Sequence, residues 1–417
     1  MFHGRFELAL ACRMANHSQH AILSQSNRKV MKDDTKLVHI GRGPSSFEGT
    51  VNLPVYRAST ILSPDIDSYI HRFDDEKNFT DITYGARGTQ NARALGEAVA
   101  ALESGYGSIV TTSGLSAISI ALGALVSAGD HILVSDSVYG PTRAFCNEVL
   151  SRYGVATEYF EPDIGEAIVE LIGENTRLVF MEAPGSLTFE MQDIPGITRA
   201  AKTKGLLTLM DNTWATPMFF RPLEHGVDVS IQAGTKYIAG HSDLVIGMIT
   251  SSSESTHRII LRHAHNLGDA ARPDDCFLAL RGLRTLSVRL HRQQESALKV
   301  ASWLSKQSQV YRVLYPALTD DPGYALWKRD FKGASSLFGL AMHSEDEDAV
   351  KAMVDSLQYF QIGSSWGGYE SLIAFNHMPV VRDRAPWTDK PFMLRVHIGL
   401  EDPEDLIADL QQGLARI

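Results

Sequence analysis

The sequence predicts an α/β protein with a mostly parallel sheet covered by helices, followed by a smaller α+β domain. Helical and strand-like segments alternate from about residue 92 onward, which is typical of a parallel sheet. Beyond Pro273 this alternation gives way to apolar residues at helical spacing. The chain has 417 residues. This length is sufficient for about two or three domains.

The large domain is predicted from short apolar segments. Its first helix carries Leu95, Val99 and Leu102 on one face and ends near Gly105, and the next helix is expected at 115–126. Strands are expected at 109–112, 131–135, 155–160, 177–182, 206–210 and 229–232, with helical segments between most of them.

The C-terminal part is expected to begin with one long connecting helix. Its apolar positions are Phe277, Leu280, Leu283, Leu286, Leu290, Leu298, Val300 and Leu304. A strand at 338–342, a helix at 345–357 and a final helix from Pro403 complete the smaller domain. We therefore expect an N-terminal segment at 33–90, the large domain at 91–273 and the connecting helix with the C-terminal domain at 274–417.

The first thirty residues are basic and nearly free of acidic side chains, and they lack strong periodicity. Glu7 interrupts an apolar stretch that is already too short for a secretory signal. A transit peptide stays open as an alternative, because Arg and Ser are frequent. We expect residues 1–32 to be a disordered extension, with a start of translation at Met31 as one explanation.

The composition excludes several classes of function. The chain is 44% hydrophobic and 21% charged, without an apolar run long enough to cross a bilayer. A net charge of −10 without Lys/Arg blocks disfavours nucleic acid as a partner. Cys12, Cys146 and Cys276 are odd in number and widely spaced, which disfavours a disulfide framework or a zinc site. We therefore expect a cytoplasmic protein with no membrane, nucleic-acid or metal partner.

Two strand ends carry residues suited to chemistry. The apolar segment LLTLMD brings Asp211 to the carboxyl end of a strand, where open α/β sheets bind ligands. A helix-capping Asp is the plain structural alternative. The next strand leads to Thr235 and Lys236, and although a lysine there is normally solvated, successive strand ends can face one crevice. A buried amine with a lowered pKa is what a Schiff base requires.

Two further segments could serve the same crevice. IVTTSGLSAIS fits a strand, a turn and a helix start, in which Gly114 permits close approach and free N–H groups could bind a phosphate. Such junctions are also common as simple turns. Tyr139 follows the strand HILVSD, although a lone tyrosine is more often part of a core or its rim. The sequence has no P-loop or HExxH motif.

In chain order, this phosphate turn, tyrosine, strand-end Asp and strand-end Lys resemble the Cys/Met-metabolism enzymes that depend on pyridoxal 5'-phosphate (PLP). The resemblance covers nearly everything after residue 33. The most specific segments are YGARGT at Tyr84, TTSG at Thr111, YGP at Tyr139, MDNTWA at Met210, GTKYIAGHSD at Gly234, RGLRTL at Arg281 and RVHIGLED at Arg395. It implies the aspartate aminotransferase fold type I of PLP-dependent transferases, with a mostly parallel seven-stranded sheet and a smaller α+β C-terminal domain.

The resemblance also implies how the cofactor ring is bound. Lys236 would carry the cofactor as a Schiff base and move the proton of the substrate Cα. Asp211 would pair with the pyridinium nitrogen. Tyr139 would stack on the ring and take part in catalysis by assisting deprotonation of the substrate amine.

The phosphate is expected to have contacts from two subunits. The backbone N–H groups of Gly114 and Leu115, together with Thr235, would bind it from one chain. Tyr84 of a neighbouring subunit would reach the same phosphate and belong to the catalytic residues. Arg87 is expected to help, because Ala86 stands where the family has a phosphate-binding arginine.

Arg395 would bind the substrate α-carboxylate through its planar guanidinium. Ser365 and Trp366 would line the same end of the pocket. The chain departs from the family pattern at Ala144, where an acidic residue is expected. It also departs at His265 and Ser364, where tyrosines are expected near the far end of the substrate.

The segments EAPGSLTFE at Glu182 and SSWGGYES at Ser364 resemble the β-lyases of this family that act on cystathionine. The implied reaction is β-elimination of cystathionine to homocysteine, pyruvate and ammonia, in methionine biosynthesis, by a homotetramer. A broader cysteine-S-conjugate β-lyase or a cysteine desulfhydrase stays open as an alternative. A PLP-binding regulatory protein without turnover is the non-enzymatic alternative.

Overall fold

The computed structural model describes residues 31–43, 47–74, 79, 81–377, 382–384, 386–387 and 390–417. Apart from Met31 and Lys32, the expected extension at 1–32 lies outside the described residues. The described N-terminal segment contains helix α1 (Asp33–His39), helix α2 (Ile66–Ile70) and a 3-10 turn at Gly85–Arg87.

The large domain is built on one sheet with the strand order β1-β7-β6-β5-β4-β2-β3. The strands are β1 (Gly107–Thr111), β2 (His131–Ser135), β3 (Ala156–Phe160), β4 (Thr176–Glu182), β5 (Leu207–Asp211), β6 (Val229–Gln232) and β7 (Gly247–Ser251). Within this sheet only β7 is antiparallel to its neighbours, β1 and β6. The prediction of a mostly parallel seven-stranded sheet is confirmed, and six strands lie within two residues of their predicted bounds.

Strand β7 was not located by the sequence pattern. It follows β6 without an intervening helix, so the helix–strand alternation that identifies the other strands is interrupted here. An antiparallel neighbour needs no helical crossover, whereas a parallel one does. The connection between β6 and β7 instead consists of turns, and it contains Lys236.

Helices cover both faces of this sheet. They are α3 (Gln90–Glu103), α4 (Gly114–Leu125), α5 (Gly140–Ala144), α6 (Ile194–Thr203), α7 (Thr216–Phe219) and α8 (Glu254–Leu267), and α5 continues into a π-helical turn at Phe145–Leu150. On one face Ala117 of α4 and Ile260 of α8 are buried with Leu209 of β5. On the other face Leu95 of α3 is buried with Met210. Successive residues of β5 thus point to opposite cores.

The C-terminal part contains a second sheet with the order β10-β11-β12-β9-β8. Its strands are β8 (Val310–Leu314), β9 (Leu337–Met342), β10 (Gln361–Ile362), β11 (Leu372–His377) and β12 (Phe392–His397). The helices are α9 (Pro273–Leu283), α10 (Leu286–Leu304), α11 (Tyr324–Asp330), α12 (Glu347–Asp355) and α13 (Pro403–Leu414). Among the described helices, none has the length and apolar character needed to cross a membrane.

The predicted single connecting helix is in fact two helices, α9 and α10, separated at Arg284 and Thr285. The Thr285 side chain donates to the carbonyl of Gly282, and the Thr285 backbone N–H donates to the same oxygen. This local bonding competes with continued helix formation. The apolar period runs through the break, which explains why the pattern predicts one helix.

Candidate active site

The carboxyl ends of β1, β2, β4, β5 and β6 lie at the same edge of the large sheet, because β7 is antiparallel to both of its neighbours. The segments that follow these strands enclose a cavity of about 260 Å³. Its lining includes Gly114, Leu115, Tyr139, Glu182, Asp211, Thr235, Lys236, Ser364, Trp366 and Arg395. The structure thus brings together most of the residues that the sequence singles out.

Lys236 lies in the turn after β6, and its amine enters the cavity. The amine donates to Ser365 Oγ at 2.8 Å and lies 5.1 Å from the centre of the Trp366 ring. Burial and, next, the charge of Arg395 lower the pKa of this amine to about 8, while Asp211 opposes the shift. Near neutral pH, therefore, more of this amine is unprotonated than in an ordinary lysine.

Asp211 is the last residue of β5, and it is half-buried in the lining of the same cavity. Its Oδ1 accepts from the Thr213 backbone N–H at 2.9 Å. The Thr213 hydroxyl in turn accepts from the Ala233 N–H at 2.8 Å, which ties the Asp211 loop to the Lys236 turn. Burial raises the pKa of Asp211, and the bonds to Thr213 and the charge of Lys236 oppose this. A cationic ring nitrogen beside Asp211 would favour its charged form.

Glu182 is a second carboxyl group in the site, which the sequence analysis does not predict there. It ends β4 and stands in register beside Asp211 of β5. Its Oε2 accepts from the Tyr139 backbone N–H at 2.7 Å. Burial and, next, the neighbouring Asp211 raise the pKa of Glu182 well above its usual value, which favours its neutral form. The signal was present, because the apolar run RLVFME ends in this residue as LLTLMD ends in Asp211.

Helix α4 begins at the cavity and supplies an anion-binding end. Gly114 and Leu115 are its first residues, and the N–H groups of a first helical turn have no intrahelical carbonyl partner. A Cβ on Gly114 would lie 2.6 Å from Ala233 Cβ, so only glycine lets this helix approach the Lys236 turn. Thr235 lines the same region, but its hydroxyl donates to the Ile246 carbonyl and accepts from the Ile246 N–H. A bond from Thr235 to a phosphate therefore requires its hydroxyl to change partner.

Tyr139 precedes α5 and lines the cavity with a half-exposed ring. Its position is fixed from the backbone by the bond to Glu182. Burial, with the charges of Asp211 and Glu182 next in size, raises the pKa of the Tyr139 hydroxyl. The phenol is therefore a protonated group near neutral pH, with its ring accessible to a flat ligand.

Arg395 lies on β12 of the second sheet and is half-buried at the other end of the cavity. Its guanidinium donates to the carbonyls of Ser364 and Ser365 at 2.6 and 3.3 Å. These bonds join Arg395 to the loop whose Ser365 hydroxyl accepts from Lys236. Two domains thus supply one site, and the remaining guanidinium N–H groups suit a carboxylate.

Tyr84, Arg87, His265 and Ser365 are not among the residues that line this cavity. Ser365 nevertheless reaches it by accepting from the Lys236 amine. Tyr84 is 44% exposed, and the Arg87 guanidinium lies over the Phe73 ring at 4.3 Å from its centre. His265 lines a second cavity together with Arg87, and burial lowers the pKa of this histidine to about 4.

The donor set fits PLP in its chemistry. The amine of Lys236 is suited to a covalent bond with an aldehyde, and the half-buried Asp211 carboxylate can balance a cationic ring nitrogen. The N-terminus of α4, which begins at Gly114, can bind a phosphate. Each part of the cofactor thus has a partner at the same sheet edge.

Comparisons with known proteins agree with this geometry. The family model for Cys/Met metabolism PLP-dependent enzymes matches residues 34–415. A cystathionine beta-lyase, MetC, of Escherichia coli is 39% identical over 392 residues, which are 93% of this chain and 99% of that protein. An L-alanine/L-glutamate racemase of Wolbachia pipientis is also 39% identical, over 93% of this chain and 98% of that protein. The crystal structure of a cystathionine gamma synthase from Xanthomonas oryzae in complex with cystathionine superposes with a TM-score of 0.83 at 32% identity, covering 93% of this chain and 98% of that one.

Neutralising the two strand-end carboxyl groups, Glu182 and Asp211, should affect the affinity for PLP to different extents. Glu182→Gln should change the affinity of the apoprotein for PLP by less than about threefold, because a neutral amide keeps the acceptor for the Tyr139 N–H. Asp211→Asn should weaken it by about tenfold or more, because an amide cannot balance a ring cation. Titration of each apoprotein with PLP, followed by absorbance, measures both. A loss in Glu182→Gln as large as that in Asp211→Asn would contradict the neutral state of Glu182.

Proposed function

The chain belongs to the Cys/Met metabolism family of PLP-dependent enzymes, and we propose that it catalyses β-elimination of cystathionine to homocysteine, pyruvate and ammonia. One observation carries the proposal: an amine with a lowered pKa, a half-buried carboxylate and an arginine suited to bind a carboxylate share one cavity. Lys236, Asp211 and Arg395 are these groups. The similarity of the chain to a cystathionine beta-lyase selects elimination within the family.

When bound, the cofactor withdraws electrons from the substrate and makes its Cα–H bond acidic. Arg395 holds the α-carboxylate and so presents Cα to the Lys236 amine. That amine, with its pKa lowered to about 8, takes the Cα proton. The electrons of the broken C–H bond form a Cα–Cβ double bond, and the Cβ–S bond breaks with its electron pair on sulfur. The sulfur takes up a proton, which balances the one lost from Cα, and leaves as the thiol of homocysteine. Addition of one water to the remaining fragment gives pyruvate and ammonia.

One comparison favours a second activity, racemisation of a small amino acid, because a named racemase is as similar to this chain as the Escherichia coli lyase is. Both reactions begin with removal of the Cα proton. Without a leaving group on Cβ, the proton can only be returned, and Tyr139 offers a protonated hydroxyl in the same cavity. A sulfur substituent on Cβ diverts the same start into elimination.

Pyruvate release decides between these activities. Purified protein saturated with PLP should release pyruvate from cystathionine, and Lys236→Ala should abolish this because the proton-accepting amine is gone. A cysteine S-conjugate and L-alanine complete the panel, with chiral chromatography for the latter. Faster turnover of the S-conjugate would support the broader β-lyase. Conversion of L-alanine to its D form without pyruvate release from either thioether would overturn the elimination proposal.

We further propose that the active unit contains at least two chains, most simply within a homotetramer. Tyr84 and Arg87 lie outside the Lys236 cavity, which fits a contribution to the phosphate of a neighbouring subunit. The same N-terminal segment exposes apolar side chains: Leu62 is 89%, Ile66 72% and Ile70 63% exposed. An apolar surface of this kind is typical of a subunit contact.

Mixing two inactive variants tests this arrangement. When Lys236→Ala and Tyr84→Ala protein are mixed in equal amounts and exchange subunits, roughly a quarter of wild-type activity should be recovered. About half of the pairs are then mixed, and one of the two sites in each mixed pair is intact. Lys236→Ala mixed with Arg395→Ala is the matched control, since both residues belong to the same chain's cavity and no intact site forms. Equal recovery in both mixtures, or full activity of a monomer in sedimentation, would contradict the shared site.

A further inference from the structure

The loop at 364–368 lies directly against the backbone of Lys236. Gly367 has φ of +85°, and a Cβ on it would lie 2.8 Å from the carbonyl carbon of Lys236. No other residue type could take this place without moving the turn that carries the amine. The loop also presents Ser365 and Trp366 to the Lys236 Nζ, so the seating of Gly367 fixes where these side chains meet it.

His397 holds this loop from the side of the second sheet. It lies two residues after Arg395 on β12, so both side chains point to the same face of the strand. The Gly367 backbone N–H donates to His397 Nε2 at 3.1 Å, and His397 Nδ1 lies 3.1 Å from Ser336 Oγ. Nε2 also lies 3.3 Å from the Gly368 carbonyl oxygen, but its contact with the Gly367 N–H is shorter. We therefore assign Nε2 as the acceptor, which places the proton on Nδ1, where it donates to Ser336. His397 is 1% exposed, and burial lowers its pKa to about 3, so the ring is neutral.

The bonding continues from Ser336 to the residue after Lys236. The Ser336 backbone N–H donates to Tyr237 Oη at 3.0 Å, and the two hydroxyl oxygens are 3.2 Å apart. Tyr237 is buried and its ring lies 5.5 Å from that of Trp366. A buried chain of bonds therefore runs from the Gly367 amide through His397 and Ser336 to the Lys236 turn.

We propose that His397 is a positioning residue for the reaction, which holds Gly367 against the Lys236 turn and thereby sets Ser365 and Trp366 against the reacting amine. His397 does not line the cavity and acts only through the loop. The proposal rests on the proposed function for its kinetic readout. Its structural readout, the exchange of the loop amides, is independent of that function.

The two ends of the loop respond differently to loss of His397. Arg395 bonds to the carbonyls of Ser364 and Ser365, whereas His397 bonds to the Gly367 amide. Removing the imidazole frees the Gly367 end and leaves the carboxylate-binding guanidinium in place. A displacement of about 1 Å at the reacting groups can cost about 100-fold in rate. The expected loss is therefore in kcat more than in KM.

The test compares His397→Phe, which removes both polar atoms, with His397→Gln, whose carbonyl can accept from Gly367. His397→Phe should raise amide hydrogen exchange in the peptide 363–371 of the apoprotein and lower kcat by about 10- to 100-fold with little change in KM. His397→Gln should restore exchange and kcat to within about threefold of wild type. If His397→Phe does not fold, His397→Asn replaces it, because the shorter Asn side chain does not place an acceptor at the position of Nε2, which bonds to the Gly367 N–H.

Asp409→Asn is the control for a purely structural effect. Asp409 is also buried and accepts backbone N–H groups, from Gln358 and Tyr359, but neither it nor these residues line the cavity. It should lower the melting temperature without changing kcat or exchange in 363–371. Unchanged exchange in His397→Phe, or a kcat loss no greater than in Asp409→Asn at matched stability, would overturn the proposal. If wild type releases no pyruvate from cystathionine, the proposed function fails, while the exchange measurement still decides the role of His397.

Discussion

The burial of the Lys236 amine between Asp211 and Arg395 is the constraint on which the rest of the site depends. A desolvated amine is reactive because its charged form is disfavoured, and here burial is the largest cause of the lowered pKa. That burial requires groups that cover the amine, and the 364–368 loop supplies them as Ser365 and Trp366. The loop belongs to the second domain, so the reactivity of a residue of the large sheet depends on how the smaller domain is held against it.

Two carboxyl groups with different roles lie where the neighbouring strands β4 and β5 end. Asp211 has bonds to Thr213 and a nearby amine that favour its charge. Glu182 has neither of these, receives one backbone N–H from Tyr139 and lies beside Asp211, so its neutral form is favoured. Two neighbouring carboxyl groups in one buried site are expected to separate in this way. Asp211 would then balance a ring cation, while Glu182 holds Tyr139 in place through its backbone N–H.

The sequence was sufficient to place Asp211 and Lys236 in one cavity, because each follows a short apolar run that ends there. Glu182 carries the same signal, because it also ends a short apolar run, RLVFME. The sequence pattern does not predict β7, because no helix separates this strand from β6. It also does not predict the helix break at Thr285, because the apolar period continues across it. The contact of Gly367 with Lys236 could not be predicted from the sequence either, since the two residues lie far apart in the chain and meet only through tertiary packing.

We propose that Lys236 is the residue that carries the cofactor. Reduction of the PLP-loaded protein with borohydride, followed by proteolysis and mass spectrometry, locates the lysine that is bound to it. We expect one pyridoxyl adduct, on the peptide that contains Lys236, and none in Lys236→Ala. An adduct on any other lysine of the wild-type protein would contradict this proposal.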